Sequence, residues 1–307
     1  MTLLTLPTPV TSPGSYLPEE TVTMNELAPP LPPIPAGFRL PFFYGALHNI
    51  GIDYLVPPER VNGHLAGTGL SPALLDGKAC VSFNYQLYFA QFDFGPSVTQ
   101  EIELNIIAFP TASSNLVPEL TYRQFAQGED QTKLRGNWRI QVACDAPIAI
   151  RAGKELFNEP KFPAWFKTTM PSPNADPSAV WQVECLDASL TPDGNDIIRH
   201  DTSLFSFKAD LSGLLPAPVS MAPFTEYGTD ANRRTLAAPL NVYQNYQHFA
   251  FDGQGGKRVS LTVDDAESGV GADLKALLKD AHAVGAWSYQ SPIVAAQNRP
   301  YYSATKS

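Results

Sequence analysis

Apolar and polar side chains alternate along two long stretches of this chain, and the alternation predicts β-strands. In residues 78–92 the two interleaved sets are Val81, Phe83, Tyr85, Leu87 and Phe89 against Ser82, Asn84, Gln86, Tyr88 and Ala90. In residues 100–109 they are Ile102, Leu104 and Ile106 against Glu101, Glu103 and Asn105. A period of two places each set on its own face of a strand. The polar face of the second strand lines either solvent or a ligand-binding interior, and the pattern leaves both open.

The rest of the chain adds more strands than helices. Strand-like runs occur at residues 38–44, 50–56, 138–142, 179–187, 197–211 and 257–264, whereas residues 216–250 have no clear pattern. Helical segments are expected at residues 118–128, 152–157 and 273–281, the last of which has leucines at helical spacing. These elements predict an α+β protein with a mainly antiparallel sheet and a few covering helices.

Composition and charge narrow the class of protein. Residues 1–36 are rich in proline, which predicts an extended N-terminal arm before a single domain over residues 37–307. Only 17% of the 307 residues are charged, and this favours a β-rich globular protein over a disordered one. The formal net charge of -9 argues against a nucleic-acid partner. No apolar run is long enough to span a bilayer, so we expect a cytoplasmic protein with no membrane partner.

Cysteines and histidines offer little metal chemistry in this sequence. Cys80, Cys144 and Cys185 lie in strand-like runs without metal-ligand spacing, and we interpret them as buried thiols in a reducing compartment. The histidines lack the helical spacing of a zinc site. No glycine-rich phosphate loop connects a strand to a helix. The sequence therefore predicts neither a metal nor a nucleotide cofactor.

Candidate catalytic chemistry is concentrated in residues 153–163. Lys161 lies between Pro160 and Phe162, close in sequence to Phe157, on chain that we expect to be irregular and to follow a helix end. An apolar, poorly hydrated pocket would lower the pKa of its ammonium group. The neutral amine could then attack a ketone and form a Schiff base. Lysines beside prolines are also common in solvated loops, so this stretch alone leaves both interpretations open.

The same stretch resembles the signature of the acetoacetate decarboxylase family. In that signature a Gly-Arg-Glu run, an aromatic residue and a Pro-Lys pair follow at this spacing, and the matching residues here are Gly153, Lys154, Glu155, Phe157, Pro160 and Lys161. Weaker matches extend the resemblance over residues 37–165, and they include residues 70–74, Arg60 and the strand at 100–109. Two departures are Lys154 for the family's arginine and Phe162 for a second lysine.

This resemblance implies a fold, an activity and site residues. It implies a closed, barrel- or cone-like sheet around an apolar pocket, and a homo-oligomer. It implies a carboxy-lyase that decarboxylates a small 3-oxo acid through a lysine iminium and an enamine, without a cofactor. The implied catalytic residues are Lys161 and either Glu101 or Glu103, whose register stays open. The implied substrate-binding residues are Arg60 for the carboxylate, with Phe157 and Phe162.

Two other functions stay open at this stage. Because Phe162 stands in place of the family's second lysine, no neighbouring ammonium lowers the pKa of Lys161. Burial is left as the main cause of a lowered pKa. The same Schiff-base lysine would also serve an aldolase-dehydratase that acts on a 2-oxo acid such as pyruvate, and the two glutamates would supply its additional acid–base steps. A noncatalytic barrel that binds an apolar small molecule is the third possibility.

Overall fold

A computed structural model describes residues 31–93, 95–174, 179–296 and 298–299 of the protein. Its strands are β1 (Phe43–Val56), β2 (Leu70–Pro72), β3 (Leu74–Leu75), β4 (Lys78–Phe92), β5 (Gly95–Pro110), β6 (Gly136–Cys144), β7 (Lys161–Thr169), β8 (Val180–Leu190), β9 (Ile197–Asp210), β10 (Ala217–Val219), β11 (Phe224–Thr229), β12 (Thr235–Leu240), β13 (Tyr246–Ala250), β14 (Val259–Val263) and β15 (Ala283–Tyr289). Its α-helices are α1 (Asn62–Leu65), α2 (Tyr122–Ala126), α3 (Pro147–Phe157), α4 (Gly255–Arg258) and α5 (Gly269–Leu278). Short 3-10 helices cover Pro58–Arg60 and Thr111–Leu116.

The strands belong to one mainly antiparallel sheet. Its hydrogen-bonded order is β10-β13-β15-β1-β4-β5-β6-β7-β8-β9-β14, with β2 and β3 on β5 and β4, and the β11–β12 hairpin on β6. Only the pairs β6–β7 and β6–β11 are parallel among the described strands. The predicted α+β architecture with a mainly antiparallel sheet is confirmed.

The sheet is open, so the predicted closed barrel is wrong. Among the described strands, β10 pairs only with β13 and β14 pairs only with β9, and the two do not pair with each other. Strand β4 instead contacts strands β8 and β9 through side chains. The ring of Phe83 on β4 lies 5.0 Å from that of Phe207 on β9, and Tyr85 lies 6.4 Å from Trp181 on β8. An apolar core therefore fills the space between these strands, and no pairing among the described strands closes the sheet.

Helix α5 covers part of this core, and α3 connects two strands of the sheet. Leu274, Leu277 and Leu278 of α5 are buried in the core, as the leucine spacing predicts. Helix α3 begins with Pro147 in its first turn and is followed by Asn158, which adopts the left-handed conformation common after a helix. It is longer than the turn predicted for residues 152–157.

Lys161 begins strand β7 and so lies on regular chain, contrary to our prediction of an irregular segment. The strand pairs in parallel with β6, and Val142 is opposite Lys161. A parallel pair needs a crossover connection, which α3 supplies. The helix followed by a parallel strand therefore fixes the lysine backbone within the sheet.

Most of the predicted strands are present among the described residues. The long alternating strands are β4 and β5, and the run at 50–56 lies within β1. Of the run at 38–44 only residues 43–44 lie in a strand, so most of that predicted strand is wrong. The patternless residues 216–250 contain β10 to β13. All three cysteines are buried free thiols, as predicted.

Two further predictions concern the N-terminal arm and the membrane. Residues 1–30 of the predicted N-terminal arm lie outside the described residues, so the arm and its role in an oligomer stay predictions. Within the described ranges, no helix has the length and apolar character needed to cross a membrane.

Candidate active site

Lys161 is a buried lysine whose amino group contacts two carboxylates. Its side chain is 7% exposed, and its Nζ lies 2.7 Å from Glu101 Oε2 and 3.6 Å from Glu159 Oε2. Glu101 comes from the neighbouring part of the sheet, on β5. Glu159 lies between α3 and β7, in the same local segment as the lysine. A proton can therefore pass directly between Lys161 and a carboxylate.

Gly153 in α3 leaves room for this arrangement. A Cβ atom at this position would collide with Oε2 of Glu159 and lie 2.9 Å from Cδ of Lys161. The chain also folds tightly here, since the amide N–H of Glu159 donates to the carbonyl of Gly153. The glycine of the sequence signature thus has a steric role, because any side chain would displace the glutamate and the lysine.

Arg139 on β6 connects the remaining carboxylates of the site. Its guanidinium lies 3.0 Å from Glu159 Oε1, 3.0 Å from Glu226 Oε2 on β11 and 3.8 Å from Glu103 Oε1 on β5. It also lies over the ring of Phe157, 5.5 Å from the ring centroid. Arg139 is 6% exposed. Its charge therefore holds three carboxylates together in a poorly hydrated environment.

Glu103 is held by amide side chains as well as by this guanidinium. Asn84 and Asn105 donate to Glu103 Oε2 at 3.3 and 3.2 Å, and Gln86 donates to both Glu101 and Glu103. Burial raises the pKa of Glu103 to about 7; Arg139 opposes this, while the neighbouring carboxylates reinforce it. Near neutral pH this group can accept or donate a proton, as a general acid–base catalyst must.

The predicted low pKa of Lys161 is wrong. Burial lowers the pKa of its ammonium, but the charges of Glu101 and Glu159 act against burial, and the net pKa lies well above the ordinary value. Negative charges within a few ångströms favour the charged form of an ammonium group. Lys161 is therefore an ammonium at rest, and it must transfer a proton before it can act as a nucleophile.

These side chains surround a cavity of about 80 Å³. Its polar lining is Gln86, Glu101, Glu103, Arg139, Glu159, Lys161 and Glu226, and its aromatic lining is Phe42, Tyr44, Tyr88, Phe92 and Phe157. The volume is several times the space that one water needs. The predicted apolar pocket is thus a mixed one, lined by both aromatic and charged side chains.

No family model and no curated protein matches this sequence, but solved structures match the fold. An acetoacetate decarboxylase-like enzyme from Sphingomonas wittichii RW1 aligns with 81% of this chain and 88% of its own, at a TM-score of 0.52 and 13% identity. The enduracididine biosynthesis enzyme MppR complexed with pyruvate aligns with 82% of this chain and 87% of its own, at a TM-score of 0.52 and 12% identity. The chain has an acetoacetate decarboxylase-like fold.

Within this decarboxylase-like fold, the structure brings four of the six predicted site residues to one cavity. Lys161, Glu101, Glu103 and Phe157 all line it. Because Glu101 and Glu103 are two residues apart on β5, both face the site, which resolves their register. The strand's polar face is therefore the wall of a buried site, with Glu101 and Glu103 each 4% exposed.

Arg60 and Phe162 lie elsewhere in the decarboxylase-like fold, and neither lines this cavity. Arg60 binds Asp280 Oδ1 at 2.8 Å and donates to the carbonyl of Leu277 at 3.2 Å, beside the end of α5. Phe162 packs against the main apolar core. Neighbouring residues in a strand point to opposite faces, so Phe162 cannot line the site that Lys161 enters. We therefore do not retain a substrate-binding role for either residue.

Sequence reasoning missed three ionisable residues of this site. Arg139 lies in a predicted strand, Glu159 lies inside the lysine stretch, and Glu226 lies in the segment without a pattern. Of these three residues, only Glu159 could have been suspected from the sequence, because its carboxylate lies two residues before the lysine. Among the described residues, no group of three or more His, Cys, Asp or Glu side chains is arranged to hold a metal ion.

Proposed function

We propose that this protein is a Schiff-base-forming lyase that decarboxylates a small 3-oxo acid. The observation that carries the proposal is the position of Lys161 Nζ, which lines a cavity and lies 2.7 Å from a carboxylate able to take its proton. The decarboxylase-like fold supports the same chemistry without fixing a substrate. The proposed steps use Lys161, the neighbouring carboxyl groups and water.

The reaction begins with activation of the lysine. The Lys161 ammonium transfers a proton to Glu101, and the neutral amine attacks the ketone carbon of the substrate. The attacking nitrogen loses one proton while the carbonyl oxygen gains one, which gives a carbinolamine. Its hydroxyl then takes the proton held by Glu101 and leaves as water, which gives a protonated imine. Substrate entry favours this transfer because it displaces water from the site and weakens the ammonium's solvation.

The iminium then accepts the electrons of the bond that breaks. As carbon dioxide leaves, the electron pair of the bond between the α-carbon and the carboxylate forms the enamine double bond, and the nitrogen becomes neutral. A carboxylic acid of the site returns a proton to the α-carbon. Glu103 suits this step, since its pKa of about 7 lets it hold a proton near neutral pH. Water then hydrolyses the imine and releases a ketone and Lys161.

A second candidate is aldol condensation and dehydration of a 2-oxo acid. The observation that favours it is the number of carboxyl groups: Glu101, Glu103, Glu159 and Glu226 all line the cavity. Condensation followed by loss of water needs more proton transfers than decarboxylation does. The structural neighbour MppR was solved with pyruvate, which is a 2-oxo acid.

Parallel assays of the two reactions test these candidates. The purified protein is incubated with a series of 3-oxo acids, and carbon dioxide and ketone are measured against Lys161→Met as the blank for spontaneous decay. It is also incubated with pyruvate and an aldehyde, and the conjugated product is followed by its absorbance. Decarboxylation above the blank supports the first proposal, and product only in the second assay replaces it with the aldolase. Ligand binding without turnover, preserved in Lys161→Met, supports the noncatalytic alternative.

A further inference from the structure

A second, smaller cavity lies along the same sheet. Its volume is about 40 Å³, which is room for about three water molecules. Among the described residues, none lines both this cavity and the one at Lys161. The polar residues of the second cavity are Asp53, Ser82, Asp130, Lys133, Arg135 and Asn137. The steps proposed for the lyase use none of these side chains.

Asp53 on β1 is a buried carboxyl group in this second cavity. It is 3% exposed, and it accepts hydrogen bonds from the Tyr122 hydroxyl at 3.0 Å and the Trp287 indole N–H at 3.2 Å. In the described part of the chain it forms no ion pair. Burial raises the pKa of Asp53 above its ordinary value, although these hydrogen bonds act against burial. A buried carboxyl group without a cation is a candidate for a functional role in proton exchange.

The other ionisable groups around Asp53 do not compete with it for protons near neutral pH. They are Tyr122 on α2, Cys80 on β4, His248 on β13 and, along the cavity, Asp130, Lys133 and Arg135. Asp130 and Arg135 form an ion pair of their own at 3.2 Å. Burial raises the pKa of the tyrosine and of the thiol and lowers the pKa of the imidazole, so these three groups stay neutral.

A row of buried polar side chains leads from Asp53 to Glu103 in the Lys161 cavity. Ser82 on β4 is directly opposite Asp53 on one side and Asn105 of β5 on the other. Asn105 in turn donates to Glu103 Oε2 at 3.2 Å. Ser82 and Asn105 are 2% and 0% exposed. Because residues directly opposite each other share one face of a sheet, this row continues the polar face of the site as far as the second cavity.

The distance from Asp53 to Glu103 suits a few hydrogen-bonded steps. One strand separates β1 from β5, so the two residues lie on strands about 10 Å apart. The Ser82 hydroxyl and about two water molecules span this distance, since each O–H···O hydrogen bond covers about 2.8 Å. The side-chain oxygen of Asn105 has no hydrogen-bond partner among the described residues. A water molecule beside Ser82 would supply that partner, as buried waters commonly do.

Decarboxylation of a 3-oxo carboxylate consumes one proton in every turnover. The carboxylate leaves as neutral carbon dioxide, and a proton ends on the α-carbon in its place. In the proposed mechanism Glu103 donates this proton and becomes a carboxylate with a 5% exposed side chain. Glu103 must regain a proton before the next turnover, and a ligand in the Lys161 cavity fills the route on that side.

We propose that Asp53 and the second cavity supply this proton to Glu103 from solvent. Asp53 passes its proton through the Ser82 hydroxyl and bound water to Glu103, and water in the second cavity then restores the proton of Asp53. One proton enters for each carbon dioxide released, and only O–H bonds form and break along the row. Asp53 does not touch the substrate and acts only through Glu103. The inference rests on the proposed function, because it needs a reaction that consumes protons.

Rapid mixing of a 3-oxo acid with Asp53→Asn tests this proposal. At pH 6 Glu103 begins protonated, since its pKa is about 7. The first turnover should therefore release carbon dioxide at the rate of the original protein, and later turnovers should be about tenfold slower. The deficit in later turnovers should widen toward pH 8, where solvent holds fewer protons. Imidazole, which titrates in this range, should restore the later turnovers as a diffusible proton donor.

Two further variants separate proton supply from structural damage. Ser82→Ala removes only a hydroxyl and should show the same fast first turnover and slow later turnovers, so the test does not depend on the folding of Asp53→Asn. Asp145→Asn is the matched control. Asp145 accepts hydrogen bonds from the backbone and side-chain N–H groups of Gln100 at 2.7 and 3.1 Å, but it lines neither cavity. Its later turnovers should be as fast as its first.

The possible outcomes separate this inference from the lyase itself. Slow later turnovers that imidazole restores in Asp53→Asn or Ser82→Ala, but not in the control, would support the proposal. Unchanged later turnovers in both variants, an equally slow first turnover, or the same pattern in Asp145→Asn would overturn it while the lyase stands. No release of carbon dioxide by the original protein would refute the lyase and, with it, this inference.

Discussion

The two faces of strands β4 and β5 are both buried, yet they differ completely in chemistry. One face, which includes Phe83 and Leu104, packs into the apolar core. The other includes Asn84 and Glu103, which are 3% and 4% exposed and hydrogen-bonded to each other. Residue alternation therefore separates a dry core from a reactive interior, rather than core from solvent.

The comparison extends to the neighbouring residues Lys161 and Phe162. Lys161 faces the charged cavity, and Phe162 packs against the apolar core. One residue of register thus decides whether a side chain acts in chemistry or in packing. Changes on the core face should affect stability at every pH, whereas changes on the site face should affect reactivity and the pH dependence of stability.

Removal of Lys161 should have the largest effect on the site face. Lys161→Met leaves the buried carboxylate of Glu101 without its cation, and loss of one partner of a buried pair costs about 3–5 kcal/mol. We expect a corresponding decrease in the free energy of unfolding in urea at pH 7, together with complete loss of turnover. A second change, Glu101→Gln, should restore much of the stability but none of the activity.

Lys167→Met is the control on the same strand. Lys167 is paired with Glu184 at 3.3 Å, but its side chain is 57% exposed. Exposed ion pairs contribute only about 0–1 kcal/mol. The variant should therefore fold and react like the original protein, and a loss as large as that of Lys161→Met would refute the distinction between the faces.

Glu103 should make stability depend on pH. Its pKa rises from 4.5 to about 7 in the folded state. The folded protein therefore binds more protons than the unfolded chain in this interval, so stability falls as pH rises from 4.5 to 7 and then levels off. Glu103→Gln should remove this decrease and be more stable than the original protein at pH 8, by up to about 3 kcal/mol.

A core-face variant provides the contrast. Phe83→Ala should cost about 3–5 kcal/mol, because it creates a cavity in the core. This cost should be similar at pH 5 and pH 8, since no titrating group is lost. Urea unfolding at the two pH values measures both variants. A pH-independent effect of Glu103→Gln would contradict the raised pKa.

Gly153→Ala should have a smaller effect, mainly on reactivity. The added methyl group would displace Glu159 and Lys161, so we expect turnover to fall about tenfold, since small misplacements of reacting groups are costly. The free energy of unfolding should fall by only about 1–2 kcal/mol, because the better helix propensity of alanine partly offsets the cost of displacing these side chains. The control is Gly63→Ala in α1, where a Cβ would meet no atom within 4 Å. Equal turnover in the two variants would contradict the steric role of Gly153.

Arg60→Met should have the smallest effect. Its guanidinium is bound to Asp280 at 2.8 Å, and that carboxylate has a 79% exposed side chain. The free energy of unfolding should change by about 1 kcal/mol or less. The Michaelis constant for an oxo acid should stay the same. A large increase in the Michaelis constant would instead indicate that Arg60 binds the substrate, as the family resemblance implies.

The sequence predicted those features that depend on local pattern. Alternation identified β4 and β5 and placed Glu101 and Glu103 on one face, and the lysine stretch identified Lys161. Arg139 and Glu226 could not be found in this way, because their contact joins residues far apart in the chain. The pKa of Lys161 depends on the same long-range contacts, since Glu101 comes from another strand.

Closure of the sheet was equally beyond a local pattern. Whether the end strands β10 and β14 pair is decided by the path of the whole chain, not by the residues of either strand. Both are short, and strand length is poorly determined by sequence. The polar interior also could not be predicted without the fold, because alternation alone does not distinguish a face toward solvent from a face toward a cavity.

Borohydride trapping followed by peptide mapping tests the central claim most directly. The protein is reduced in the presence of a panel of 3-oxo and 2-oxo acids, and the modified residue is identified by mass spectrometry. The account predicts a substrate-dependent adduct on Lys161, with no comparable adduct on exposed Lys167. An adduct distributed over exposed lysines, or no adduct on Lys161 with any member of the panel, would contradict the claim that this buried face is a reactive interior.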